Sequence, residues 1–114
     1  MNNYTSAAEI RKEVNAFFNA FEDEVPVICS IDEFRYQIFH CDLFNKLRSR
    51  NYYSCLLVVN ATWHISSFCN SSMQFHGQID GLELFNLLKS NVKSTIDLLE
   101  TTENLVKKYQ NTDD

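Results

Sequence analysis

The sequence predicts an α+β domain: two N-terminal helical segments, a three-stranded antiparallel meander and a long C-terminal helix. Three observations predict it. Residues 6–24 and 82–109 repeat apolar side chains at helical spacing. Residues 52–79 are rich in β-branched and aromatic residues and are interrupted by two Asn-containing turn signals. Two glycines and one proline in 114 residues leave little of the chain for irregular loops.

The length is that of one domain, residues 1–114, large enough to bury a core without disulfide or metal staples. The net charge of −5 argues against non-specific binding to nucleic acid or anionic lipid, which needs an excess of Lys and Arg. No run approaches the ~20 apolar residues of a membrane span, and the first residues, Met-Asn-Asn-Tyr-Thr, lack the basic and apolar regions of a secretory signal. The expected location is therefore cytoplasmic or nuclear. Cys29, Cys41, Cys55 and Cys69 lie 12, 14 and 14 residues apart, without the two-residue gap of a zinc knuckle, and are read as reduced core thiols. The sequons at Asn3, Asn60 and Asn70 are read as turns, as expected of a chain this rich in Asn, Ser and Thr.

After a frayed start, Ser6-Ala7-Ala8-Glu9 has the pattern of a capping box. Ile10, Val14, Phe17, Phe18 and Phe21 then share one helical face, over a helix assigned to 6–24. Glu22, Asp23 and Glu24 oppose the helix dipole at its C-terminal end, and Val25-Pro26 ends it. Val27-Ile28-Cys29 is a short extended run, either an edge strand or a connector. Ser30-Ile31-Asp32-Glu33 is a second capping box, opening a helix over 31–48. In that segment Ile31, Phe34, Ile38 and Cys41 lie on one face and Phe39, Leu43 and Leu47 on another. The helix is thus either apolar on two sides or kinked near Cys41-Asp42.

The meander is assigned as follows. Tyr52–Val59 is nearly all apolar, Asn60-Ala61 is a tight turn, and Thr62–Cys69 alternates. Asn70-Ser71-Ser72 is the second turn, and Met73–Ile79 alternates again. With two- and three-residue loops, Leu56, Val58, Trp63, Ile65, Phe75 and Ile79 fall on one sheet face, which Phe85, Leu88 and Val92 of the last helix would cover. Asp80 at N-cap and Glu83 three residues on open that helix, 82–109, with a frayed tail at 110–114.

No catalytic set assembles from this pattern, and no cofactor or metal is expected. There is no phosphate-binding Gly-rich loop, no GxSxG and no HExxH. His64 and His76 would be two imidazoles on a polar sheet face, an incomplete zinc site. His40-Cys41-Asp42 has the letters of a thiol triad, but adjacent residues do not face one another. Lys46, Arg48 and Arg50 beside Tyr52 and Tyr53 could hold a nucleic acid strand, or could simply complement a helix C-terminus; the acidic chain favours the second.

Two surfaces look made for a protein partner. The first is an apolar row on the outer sheet face, Tyr53, Cys55, Leu57 and Val59 with Phe68 opposite, which either the 31–48 segment or another chain must cover. The second is the outer half of the last helix. Residues 82–109 span roughly 42 Å, more than the ~35 Å diameter of a domain this size. Phe85, Val92, Leu99 and Val106 form a heptad column, flanked by Ile96, Leu98 and Leu105. The matching column of Leu88, Thr95, Thr102 and Tyr109 is half Thr and suits a mixed bundle better than a homodimeric zipper. The predicted function is a small acidic intracellular interaction subunit, in a hetero-oligomer or alternatively a homodimer, contacting its partner through Ile96, Leu98, Leu99, Leu105, Val106, Tyr109 and the apolar row. The alternative is a small enzyme or ligand-binding domain using His64, His76 or Cys55, and nucleic-acid binding is the weaker third reading.

Overall fold

The computed structural model describes residues 5–110 and is mostly helical. In chain order it runs α1 (Ala7–Phe21), β1 (Ile28–Cys29), α2 (Ile31–Phe39), α3 (Asp42–Arg50), α4 (Tyr52–Ser67), β2 (Ile79–Asp80) and α5 (Gly81–Gln110). The frayed ends expected at 1–5 and 110–114 lie outside the described residues, apart from Thr5 and Gln110.

The α+β reading is corrected here. Residues 52–67, assigned to two strands of a meander, are a continuous helix, and the only described sheet is two strands of two residues each. The physical reason lies in which residues are buried. Ser54, Val58, Thr62 and Ser66 follow one another at i+4, joined by Cys55 and Ala61, and all are buried. That is a helical stripe, but half of it is made of small polar residues that carry little hydrophobic signal. α4 packs against all four other helices, so apolar residues such as Leu56, Leu57, Val59 and Ile65 are half-covered on its other sides, and only Tyr52, Tyr53, Asn60, Trp63, His64 and Ser67 are exposed. Its buried hydroxyls are satisfied. Thr62 Oγ1 donates to Val58 O at 2.7 Å, Ser54 Oγ to Ile10 O at 3.5 Å, and Ser66 Oγ accepts from the Arg35 guanidinium. Asn51, just before the run assigned to the first strand, caps this helix by accepting from Ser54 N at 2.8 Å. The helix leaves through a π turn at Phe68–Ser72 that closes with Met73 N donating to Phe68 O at 3.2 Å.

The 31–48 segment breaks where one of its two readings expected, giving α2 and α3 with His40 and Cys41 between them. α1 carries the expected stripe, Ile10, Val14, Phe17, Phe18 and Phe21, and a 3₁₀ turn at Glu22–Glu24 follows it. Phe85, Leu88 and Val92 are buried on α5, but against α1 and α4 rather than a sheet. Aromatic rings link the layers. Phe85 meets Phe18 and Phe21 of α1, Phe17 meets Phe44 of α3, and Phe44 and Trp63 both meet Phe39 of α2.

Each capped start has its own donors and acceptors. Ser6 Oγ accepts from Glu9 N at 3.2 Å. At α2 both halves of the capping box form, Ser30 Oγ accepting from Glu33 N at 3.1 Å and the Glu33 carboxylate accepting from Ser30 N at 3.0 Å. These bonds, with one from Gln78, hold the Glu33 carboxyl below its ordinary pKa. A depressed folded value means the contribution is complete above the ordinary Glu range and is lost as pH falls through the folded value. The stability difference between the native chain and Glu33→Ala should therefore be constant at neutral pH and shrink in acid, as read by urea denaturation at a series of pH values.

Candidate functional site

The outer end of α5 leaves the body of the protein. The molecule measures 58 × 30 × 20 Å, and its long dimension exceeds a compact domain of this length because a 30-residue helix forms one edge. Along α5 the buried residues are Gly81, Leu84, Phe85, Leu88, Val92 and Ile96, after which Leu99 is only half-covered. From Asn104 to Gln110 every residue is exposed.

This end is held to the start of α1 by polar contacts. Arg11 pairs with Asp97 at 3.1 Å and with Glu100 at 3.4 Å, and Glu103 Oε2 accepts from Ala7 N at 3.0 Å. The ion pairs are solvent-exposed and add little stability individually. They lie beside the core contact of α1 with α5, and beyond them the two helices leave a space between them. That space is a groove of about 600 Å³, walled by Ala7 and Ile10 of α1, Tyr53 of α4, and Leu99, Thr102 and Val106 of α5. Glu103 and Lys107 stand at its polar margin. At about 100° per residue, Leu98, Leu105 and Tyr109 lie within a narrow arc beside Leu99 and Val106. Val106 belongs both to the groove wall and to the exposed apolar end of α5, where Leu98 is 66%, Leu105 55% and Val106 48% exposed.

The residues named from sequence divide accordingly. Tyr53, Leu99 and Val106 meet in the groove, and Leu98, Leu105 and Tyr109 are exposed on α5 outside its lining. Ile96 and Cys55 are buried in the core and do not line the groove. Tyr53, Cys55, Leu57, Val59 and Phe68 do not form a row on a sheet face, because α4 turns them in different directions. Cys55 is interior, Leu57 and Val59 are half-covered against the core, and Phe68 is exposed at the π turn. Ala7, Ile10, Thr102 and Glu103 were missed. Ala7 and Ile10 could be assigned to the helix from sequence, but their place in a groove depends on where α1 meets α5.

The chemical candidates remain dispersed. His64 lies on the exposed side of α4, nine residues and hence half a helical turn in phase from buried Cys55, so the two point to opposite faces. His76 is in the irregular connection after the π turn. His40 stacks on Tyr36 with ring centroids 4.0 Å apart, and Cys41 donates through Sγ to Ile38 O, its thiol pushed up by burial. Cys29 is raised by burial and by the charges of Glu33 and Asp80. Raised thiols are poor nucleophiles. All four cysteines are unpaired. Among the described residues no three His, Cys, Asp or Glu side chains are grouped to hold a metal ion, and no helix is long and apolar enough to cross a membrane. In the basic cluster, Arg50 pairs with Glu13 at 3.0 Å and Arg48 lies over Phe44, while Tyr52 and Tyr53 are exposed.

No known family model, curated protein or solved structure matches this chain. The functional reading therefore rests on the chain's own geometry.

Proposed function

We propose that the chain is a protein–protein interaction subunit that receives an amphipathic helix of a partner in the groove beside the outer part of α5. The observation that carries this reading is the set of exposed apolar side chains Leu98, Leu105 and Val106 at the outer end of α5, of which Val106 also walls the groove. A helical occupant is favoured by the walls. The groove runs beside α5, and its α5 wall is made of Leu99, Thr102 and Val106 at spacings of three and four, the ridge that another helix's side chains can straddle. Glu103 and Lys107 at the margin supply one charge of each sign for the partner's polar edge. The reading carries a cytoplasmic or nuclear location with it, supported by buried free thiols at Cys29, Cys41 and Cys55, the form that a reducing compartment maintains.

The test begins with affinity purification from the native extract, identification of the bound protein, and reconstitution of the complex from purified components. Leu98→Glu and Val106→Glu together should weaken the reconstituted complex by at least about a hundredfold, since two anchors of ~1–3 kcal/mol each are replaced by charge. The variant should keep its helical circular dichroism, because neither side chain is in the core. Unchanged affinity in the folded double variant would overturn the groove as the docking site. Concentration-dependent mass in light scattering that disappears in the same variant would replace the foreign helix with a second copy of this chain.

A further inference from the structure

The opposite end of the molecule carries an open strand edge. Ile28 of β1 faces Asp80 of β2, Cys29 faces Ile79, and Gly81 N donates to Val27 O at 3.0 Å. This pattern makes Ile28–Asp80 the pair that exchanges no hydrogen bonds, so the N–H and C=O of Ile28 point away from β2. Among the described residues neither group has a backbone partner outside the ladder. Natural edge strands are usually blunted by lysine, proline or a covering element. Here Pro26 precedes the strand, yet Val27 is 88% and Ile28 62% exposed. Leu82, also half-exposed, lies beside them, because the Pro26–Val27 backbone is seated directly against Gly81.

The charge around this edge is of one sign. Glu22, Asp23 and Glu24 immediately precede it, and Asp80 and Glu83 flank it from β2 and the first turn of α5. No Lys or Arg occurs from Glu13 to Phe34 or from Asn51 to Leu88. The nearest cation in sequence, Arg35, is engaged with Asp32 at 3.3 Å and Ser66. We propose that the outer edge of β1 docks an extended, basic segment of a partner protein. Its backbone pairs with Ile28, its apolar side chains lie on Val27, Ile28 and Leu82, and its Lys or Arg residues face the surrounding carboxylates. Backbone pairing through one residue is short, so the apolar contacts and the charge supply most of the affinity, and docking is sensitive to salt. This surface is separate from the α5 groove and does not depend on it.

The probe is a displayed library of random twelve-residue peptides, selected on the full chain. Enriched sequences should alternate Lys or Arg with Val, Ile or Leu. The best peptide, made synthetically, should shift the amide resonances of Val27, Ile28 and Leu82. It should lose about tenfold or more in affinity to the Val27→Ser/Leu82→Ser variant, to raised salt, and to N-methylation of its own alternate backbone amides. Both replaced side chains are exposed, so the variant should fold, and its helical circular dichroism provides the check. Binding should be unchanged by Leu98→Glu/Val106→Glu. No enrichment, enrichment of neutral or acidic peptides, indifference to N-methylation, or loss only in the α5 variant would each overturn the proposal.

Discussion

Phe85→Ala should cost about 3–5 kcal/mol, the range for removing a fully buried aromatic side chain from a packed core. Phe85 has no exposed surface. Its ring meets Phe18 edge-on at 5.7 Å and Phe21 at 5.8 Å, and the Lys89 ammonium lies 4.6 Å from the ring centroid. Phe21 stacks on Phe17 at 5.5 Å, and Phe17 reaches Phe44 at 6.3 Å. Removing the ring therefore opens a cavity at the α5 end of an aromatic series that also passes through α1 and α3. The neighbours cannot close it without shifting α1, which is why the upper part of the range is expected. Against a total stability of roughly 5–15 kcal/mol for a domain, this is a large fraction. Phe75→Ala is the control. That ring is substantially exposed and packs over Gly77, so its loss should stay near 0.5 kcal/mol. Urea denaturation of the two variants should separate them clearly, and equal losses would contradict the placement of Phe85 in the core.

Phe85 also shows how far the sequence could be read. α1 and α5 were legible because each has one wet side, so apolar and polar residues separate into stripes at helical spacing. The stripe identifies Phe85 as buried, but it does not name what Phe85 is buried against. That question turned on residues 52–67, where legibility failed. Tyr52–Val59 has β-branched or aromatic residues at half of its positions and no charge, and intrinsic preference there favours a strand. Tertiary packing overrides it, because α4 packs against all four other helices and buries Ser54, Ala61 and Ser66 there. Small polar residues are read as solvent-facing from sequence; only the structure shows Ile10 O and Arg35 waiting for two of their hydroxyls. The agreement of strand registers was no safeguard. It grouped Val58 with Trp63 and Phe75, but Val58 is fully buried whereas Trp63 and Phe75 are exposed. Asn51 was a real start signal, but Ser54 stands where a capping box would carry Glu or Gln, so the helix start was not marked.

The docking surface was legible along α5 and not across it. The heptad column of Phe85, Val92, Leu99 and Val106 is genuine, but it begins in the core and ends in solvent. Period alone cannot say where along a helix its neighbours stop. That boundary is set by the length of α1, whose first turn meets Glu103, and it converts Leu99 and Val106 from core positions into groove walls. Ile96, one turn earlier, stays inside. Tyr53 reaches the groove because α4 is a helix packed on α1, and not through membership of a sheet row.

Gly81→Ala should destabilise the protein by a net ~2 kcal/mol or more, although the substitution is favourable for helix propensity. Within a helix, Ala is preferred over Gly by about 1 kcal/mol, and Gly81 is the first residue of α5. Its backbone is not in the left-handed region, so conformation does not demand glycine there. Space does. A Cβ at this position would lie 1.7 Å from Pro26 O and 2.8 Å from Pro26 C. The obstacle is backbone on both sides, and it cannot rotate away as a side chain could. Relief requires the first turn of α5 to retreat from Pro26, which strains or breaks the Gly81 N to Val27 O bond and disturbs the Asp80 cap, whose carboxylate accepts from Leu82 N at 2.9 Å and Glu83 N at 3.1 Å. Forced overpacking of this kind costs about 1–3 kcal/mol and occasionally more, and a lost cap adds about 1. Gly77→Ala isolates the effect. Its Cβ would meet only the outer atoms of the Phe75 ring, which can swing aside, so it should be close to neutral. Thermal unfolding of both variants distinguishes the cases, and a Gly81→Ala protein as stable as the native chain would contradict the seating of α5 on Pro26. The same variant bears on the strand edge. If pairing of Val27 with Gly81 positions Ile28, then Gly81→Ala should weaken peptide docking at β1 while leaving the α5 groove, at the other end of the helix, able to bind.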